Sequence, residues 1–200
     1  MTTIALLGDK SFLISPQENA FLMYGASGRT LVAKGDPVGD RSEGENLAWR
    51  FRELADRDGY RPAFYAVGTG YLPLYVDMGL SVLKIGEVAR VDLTGFTLEG
   101  HGKKDLRHAQ RRAEKEGLSF EIVPSSDVLP IMPSLRRVSD AWLAGKSGSE
   151  KRFALGNFNE PYLLNFDMAV IRRGDETVAF ANILRGSGRE EMAIDLMRFV

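Results

Sequence analysis

The stretch EEMAIDLMRFV, residues 190–200, carries two oppositely charged residues inside an apolar run. Asp195 and Arg198 lie three positions apart, and ionised side chains are rarely fully buried unless they are paired. Carboxylates and cations in a dry site can move protons and stabilise an oxyanion without cysteine or histidine. Strand alternation would put the two charges on opposite faces unless a β-bulge re-aims one of them, and bulges cluster near active sites. The alternative is a structural ion pair with other partners.

Two further stretches hold polar groups that could contact a ligand. In the segment 139–158, Lys146 and Glu150 bracket a Ser-Gly-Ser sequence. Glycine lets a backbone amide approach a ligand closely, but the same residues would also make a helix C-cap and a turn. The sequence GDPVG, residues 35–39, is a weaker motif in which Asp36 either shapes a turn or contacts a substrate.

The segment GKKDLRHAQRRAEKEG is predicted to be a helix with its positive charge concentrated on one face. Its Lys104, Arg107, Arg111 and Lys115 follow the i, i+3, i+7 and i+11 spacing of a single helical face. Such a ridge of four cations would attract a phosphate backbone or an anionic lipid surface. An ordinary solvated helix face is the other interpretation.

Composition limits the classes of protein and of chemistry. Of the 200 residues, 44% are hydrophobic and 26% are charged, with a formal net charge of -1, which is typical of a folded protein. The absence of cysteine excludes disulfides and thiolate chemistry, and two histidines leave little material for a histidine metal centre. No apolar run approaches the ~20 residues of a membrane helix. Walker-type loops, dinucleotide fingerprints and metal-ligand spacings are also missing, so we predict neither a metal nor a cofactor.

The apolar pattern predicts the secondary structure. Short apolar runs separated by turn residues predict strands at IALLG, SFLIS, AFLMYG and TLVAKG. Helical periodicity predicts helices at 45–57, over the basic segment, and from 127 to about 146, where Trp142 belongs to the apolar stripe. EVARVDL and SFEIVP are predicted as strands, and the chain closes with an antiparallel meander of three strands. Together these elements predict a mixed α/β fold with mostly antiparallel sheets and flanking helices.

A faint internal repeat indicates two related units. A shift of about 147 residues aligns AFLMYGASGRTLVAKG with DMAVIRRGDETVAFAN, apolar arm against apolar arm and turn against turn. Chance agreement between two hairpins is the alternative. If the duplication is real, the first unit covers 1–125 and the second, over 126–200, is incomplete, so we expect the chain to be a piece of a longer protein.

Several of these stretches together resemble one family. GDKSFLIS, AFLMYGASGRTLVAKGDPVGD, KKDLRHAQRRAEKEGLSFEIV, RRVSDAWLAGKSGSEKRFALGNF and MAIDLMRFV are similar, in order, to the cytosolic synthase domain of the phosphatidylglycerol lysyltransferases, also called multiple peptide resistance factors. The resemblance implies two tandem GNAT-like acyltransferase folds, the second without its C-terminal portion. It also implies transfer of a lysyl or alanyl group from charged tRNA to phosphatidylglycerol, at the cytoplasmic face of a bacterial inner membrane. The product lipid would repel cationic antimicrobial peptides.

The resemblance assigns roles to the charged residues found above. Asp195 would accept a proton or orient the amine, Arg198 would hold a phosphate or the developing negative charge, and Glu150 and Lys146 are further site residues. Lys104, Arg107 and Arg111 are expected to contact tRNA or lipid phosphate, and Asp36 is a weaker substrate-binding candidate. An aminoacyl ester is already activated, so no cofactor is needed. A peptidoglycan-precursor aminoacyltransferase and a non-catalytic phosphate- or RNA-binding module stay open as alternatives.

Overall fold

The computed structural model describes residues 2–146, 150, 153–186, 188 and 190–200. Its described residues form two compact units, Thr2–Glu87 and Val88–Val200. Each unit contains one β-sheet with helices packed against it.

The unit Thr2–Glu87 is built on a five-stranded sheet. The strands pair in the order β1-β2-β3-β5, with the short β4 added to β2, and only β3 and β5 run parallel. A core of apolar side chains from β2, β3 and α1 is fully enclosed. The elements are β1 (Ser11–Ile14), β2 (Ala20–Ser27), β3 (Thr30–Lys34), β4 (Val38–Gly39), α1 (Arg41–Arg57), β5 (Arg61–Tyr65) and α2 (Leu72–Asp77).

Local chemistry explains two differences from the predicted elements. Helix α1 begins at Arg41 rather than at residue 45, because the Asp40 side chain caps it by accepting the N–H of Glu43 at 3.0 Å. The predicted strand IALLG is a 3-10 helix, Thr3–Leu7. Its apolar run is too short for periodicity to separate strand from helix.

The unit Val88–Val200 is built on a four-stranded antiparallel sheet. Its order is β6-β7-β8-β9, and the last three strands form the predicted meander. Helix α4 packs against β8 and β9. The elements are α3 (Lys104–Lys115), β6 (Leu118–Val123), α4 (Val128–Ala144), α5 (Glu160–Leu163), β7 (Asp167–Arg173), β8 (Glu176–Arg185) and β9 (Met192–Phe199).

The two faces of this second sheet are both apolar, but only one is covered. The face toward α4 buries Met168, Val170, Phe180 and Leu196. On the other face the ladder aligns apolar residues across all four strands, as in the row Phe120, Ile171, Ala179 and Phe199. Large side chains at both edges of that face are between 45% and 66% exposed, namely Phe120, Ile122, Ile194, Met197 and Phe199. We call this surface the outer face.

The predicted mixed α/β fold, with mostly antiparallel sheets and flanking helices, is confirmed, and its architecture is consistent with a GNAT-like fold. The predicted strand EVARVDL is wrong: residues 87–92 have no assigned secondary structure, and Val88 and Val91 are exposed. An apolar run becomes a strand only where a partner strand accepts its backbone hydrogen bonds. The compact units divide between residues 87 and 88, and β6 belongs to the second unit, where it pairs with β7. The division into 1–125 and 126–200 stays a prediction about the repeat.

Candidate functional site

A β-bulge in β9 orients the charged residues near the end of the chain. The pairing with β8 shifts register at Asn182, so that Asp195 and Leu196 both lie opposite this one residue. The side-chain oxygen of Asn182 accepts the N–H of Leu196 at 2.7 Å. One additional residue in β9 brings Asp195 onto the face that carries Arg198, whereas strict alternation would separate them. The sequence analysis gave such a bulge as the condition for both charges to share a face, and the structure contains it.

The carboxylate of Asp195 is held by a backbone amide and a phenol. The N–H of Gly156 donates to both carboxylate oxygens, at 2.8 and 3.1 Å, and the Tyr162 hydroxyl donates to Oδ2 at 2.8 Å. Tyr162 is fully buried, and its burial, together with the hydrogen bond to Asp195, raises the pKa of the phenol. These donors fix the position of the Asp195 carboxylate in a half-buried setting.

Glycine is the residue that this geometry requires at position 156. A Cβ atom there would lie 2.1 Å from Asp195 Oδ2 and 3.0 Å from a ring carbon of Tyr162. Contacts under 3.0 Å force a displacement, so a side chain at this position would push the carboxylate away from the amide. The close approach of backbone to carboxylate therefore depends on the missing side chain.

The guanidinium of Arg198 is buried, with an exposed fraction of 3% for the residue. It forms an ion pair with Glu150, whose carboxylate also accepts the N–H of Phe158 at 3.2 Å. Burial lowers the pKa of Arg198, and the negative charge of Glu150 opposes that shift. A buried arginine stays charged at neutral pH, so this cation is fixed in a poorly hydrated place.

The indole ring of Trp142 contacts two of the cations that the sequence analysis singled out. The Arg198 guanidinium carbon stacks 3.9 Å from the ring centroid of Trp142, and the Lys146 ammonium lies 4.8 Å from the same centroid. Both distances are within the range of cation–π attraction. Lys146, Glu150 and Arg198 are thus brought together around Trp142, and the Ser-Gly-Ser sequence between the first two lies outside the described residues.

Asp36 lies in the other compact unit. Its carboxylate accepts the N–H of Gly68 at 2.7 Å and the hydroxyl of buried Tyr75 at 2.8 Å. Burial, followed by the hydrogen bond to Asp36, raises the pKa of that phenol. These contacts tie the segment after β5 to the turn after β3, as expected of a turn-shaping residue.

The predicted cations of α3 have mixed surroundings. Lys104 and Arg111 are exposed on the helix. Arg107 is half-buried, and its guanidinium donates to the carbonyl groups of Leu98 and, at 2.7 Å, Gly100. Arg107 therefore has a structural task in addition to any ligand contact.

In the part of the chain that the structure describes, no three His, Asp or Glu side chains gather as a metal site, and no helix is long and apolar enough to span a bilayer.

Sequence reasoning missed three residues that build this site. Trp142 was predicted only as part of an apolar helix stripe, and Gly156 and Tyr162 were assigned no role. The segment GNFNEPYL held a usable signal, because Asn159 caps α5 by accepting the N–H of Tyr162 at 2.9 Å, with Pro161 next in the helix. That cap fixes the start of a short helix whose tyrosine reaches Asp195.

Comparison with known proteins identifies first the class of fold and then the family of this chain. The fold is that of the C-terminal domain of a lysylphosphatidylglycerol synthetase: such a solved domain from Agrobacterium fabrum superimposes on 98% of this chain with a TM-score of 0.92 at 43% identity. The family model described as phosphatidylglycerol lysyltransferase, C-terminal, matches residues 1–200. The chain belongs to this family, and the predicted resemblance is confirmed.

Two more relatives define the extent of the match. The solved L-PGS from Bacillus licheniformis superimposes with a TM-score of 0.90 at 37% identity. The phosphatidylglycerol lysyltransferase of Bacillus subtilis is 37% identical over 202 aligned residues, which cover the whole of this chain. The chain spans 23% of that protein, and 62% and 63% of the solved chains from Agrobacterium and Bacillus licheniformis.

Proposed function

We propose that the protein carrying this chain is a phosphatidylglycerol aminoacyltransferase that moves a lysyl or alanyl group from charged tRNA to the lipid headgroup. Its relatives are named phosphatidylglycerol lysyltransferases, which supports lipid aminoacylation. The observation that carries the proposal is that Asp195 and Arg198, of opposite charge, share the covered face of one sheet and are each fixed by other groups.

The proposed reaction exchanges one ester for another. A headgroup hydroxyl of the lipid attacks the aminoacyl carbonyl carbon, and the bond from that carbon to the tRNA ribose oxygen breaks. The lipid hydroxyl loses its proton and the ribose oxygen gains one, so the step needs no oxidant and no external energy source. Asp195 is suited to take up the proton or to orient the aminoacyl ammonium, since its position is fixed by Gly156 and Tyr162.

The cations would act on negative charge during the same step. Arg198, whose guanidinium is poorly hydrated, would hold a phosphate or the oxyanion of the tetrahedral intermediate. Glu150 keeps Arg198 in place, and Lys146 adds a second cation at the Trp142 ring. Preorganised charge of this kind stabilises a transition state without reorganising water.

The exposed positive face of α3 would bring in the polyanionic substrates. Lys104 and Arg111 are free of a role in the core and can meet the phosphates of tRNA or of an anionic bilayer. We place the reaction at the cytoplasmic face of the bacterial inner membrane, where charged tRNA and phosphatidylglycerol meet. A less negative product lipid would reduce binding of cationic antimicrobial peptides.

A transfer assay tests the proposal on the intact longer protein. The protein is incubated with tRNA labelled in its lysyl or alanyl group and with vesicles that contain or lack phosphatidylglycerol, and the extracted lipids are separated by thin-layer chromatography. We expect labelled lipid only when phosphatidylglycerol is present. Label transferred instead to a peptidoglycan precursor would support the alternative acceptor, and tRNA binding without turnover would support a non-catalytic module.

A further inference from the structure

The cluster around Trp142 contains buried hydrogen-bond donors for which the described residues provide no acceptor. Among the described residues, the indole N–H of Trp142 and the Nε–H of Arg198 are both buried and have no hydrogen-bond partner. Buried polar groups are nearly always paired, since an unpaired one costs about 1–3 kcal/mol. Trp142 and Arg198 stack against each other at 3.9 Å, so both unpaired donors belong to one pair of side chains in contact.

The chemistry of these groups defines what they can bind. An indole N–H and a guanidinium N–H only donate, so their partner must be an acceptor. Two cations, Arg198 and Lys146, face the Trp142 ring against one carboxylate, Glu150, which already accepts from Arg198 and from the Phe158 amide. Both unpaired donors lie on side chains at the Arg198 guanidinium, so a negatively charged acceptor with several oxygens suits them.

We propose that Trp142 and Arg198 form a binding site for a phosphodiester group. The Trp142 N–H and the Arg198 Nε–H donate to its oxygens, and Lys146 contributes positive charge at the rim. Trp142 is the new member of the site: its indole both orients Arg198 by stacking and supplies a donor of its own. The inference rests on the proposed function, whose two substrates, the lipid headgroup and the tRNA end, both carry phosphodiesters.

The chain offers a direct spectroscopic test, because it contains only two tryptophans. The variant Trp49→Phe removes the partly exposed tryptophan of α1 and leaves Trp142 as the sole reporter. We expect its fluorescence emission to change on titration with inorganic phosphate. The matched control, Trp142→Phe, keeps an aromatic ring for stacking but loses the N–H, and the emission of its remaining Trp49 should not respond.

Affinity measurements by calorimetry complete the test. Loss of one hydrogen bond to a charged oxygen should weaken phosphate binding by Trp142→Phe by about 10-fold or more relative to Trp49→Phe. Circular dichroism and thermal unfolding establish that both variants are folded. A silent Trp142 signal on phosphate titration, or equal phosphate affinity in the two folded variants, would overturn the proposal.

Separate titrations identify the source of the phosphodiester. Vesicles of phosphatidylglycerol in phosphatidylcholine are compared with phosphatidylcholine alone and with uncharged tRNA. A Trp142 response to the phosphatidylglycerol vesicles assigns the site to the lipid, and a response to tRNA assigns it to the donor. Because these measurements need no transfer, phosphate binding together with a negative transfer assay would refute the proposed function and leave the phosphodiester site standing.

Discussion

The two compact units each hold a carboxylate with the same pair of hydrogen-bond donors, in different surroundings. Asp36 and Asp195 each accept a glycine N–H and a tyrosine hydroxyl. An arginine stacks on an aromatic ring in each unit, Arg41 on Tyr71 at 3.6 Å and Arg198 on Trp142 at 3.9 Å. The hydrogen-bond pattern alone therefore does not distinguish a structural carboxylate from a reactive one.

Burial of the arginine is what separates the two clusters. The Arg41 side chain is 51% exposed and pairs with an exposed Glu45, whereas the Arg198 side chain is 4% exposed. The hydrogen bond to Glu45 raises the pKa of Arg41, while burial lowers the pKa of Arg198. Exposed pairs contribute little to stability, and a buried cation costs desolvation that packing alone does not require. This contrast favours a reactive role for Asp195 and a structural one for Asp36.

Neutralising Asp195 should have the largest effect. In the intact protein we expect Asp195→Asn to lower the transfer rate by about 100-fold or more, because an amide cannot take up a proton. The lipid product formed per minute from labelled aminoacyl-tRNA measures the effect. The control is Asp140→Asn, at an exposed position of α4, which should transfer at the wild-type rate. A wild-type rate in folded Asp195→Asn would remove this residue from the chemistry.

A side chain at position 156 should damage both stability and transfer. The Cβ of Gly156→Ala would overlap Asp195 Oδ2, so we expect a loss of about 1–3 kcal/mol in the free energy of unfolding. Transfer should fall by roughly 10-fold, since the displaced carboxylate loses its amide donor. Urea unfolding and the transfer assay measure the two effects. The control Gly95→Ala, where a Cβ meets nothing within 4 Å, should change neither.

The two tyrosines offer the sharpest test of the comparison. Tyr75→Phe and Tyr162→Phe each remove one hydrogen bond to a carboxylate, which should cost about 1.5–3 kcal/mol of stability in either unit. Only Tyr162→Phe should also slow transfer per folded molecule, because Asp195 loses a donor that holds its carboxylate in position. If Tyr75→Phe slows transfer equally, the distinction between a structural Asp36 and a reactive Asp195 is wrong.

The smallest expected effect is a decline in the free energy of unfolding at alkaline pH, caused by the two buried phenols. The pKa values of Tyr75 and Tyr162 are raised in the folded chain, so each phenol stays protonated after its unfolded counterpart has ionised near pH 10. Their contribution to stability is thus complete below pH ~10 and declines above it by up to about 1.4 kcal/mol per pH unit for each phenol. Urea unfolding at pH 8 to 11 should show a shallower decline in the double Tyr→Phe variant. Equal slopes would contradict the raised pKa values.

The sequence predicted the elements of this fold better than the contacts between them. Periodicity and turn residues identified the long helices and the closing meander, and the charge pattern pointed to Asp195 and Arg198. The partners of those charges could not be predicted, since Gly156 is 39 positions from Asp195, and Glu150 is 48 from Arg198. Such contacts depend on the packing of a loop on a sheet. The strand predicted over residues 87–92 was wrong because local apolar character does not show whether a partner strand is present.

The outer face of the second sheet has a consequence for the behaviour of these 200 residues in solution. Apolar rows exposed to water release that water when two such faces meet, and this driving force is entropic and weakens on cooling. Preparations should therefore scatter less light on ice than at room temperature. Micelles of a mild detergent, by coating the surface, should keep a warm solution clear.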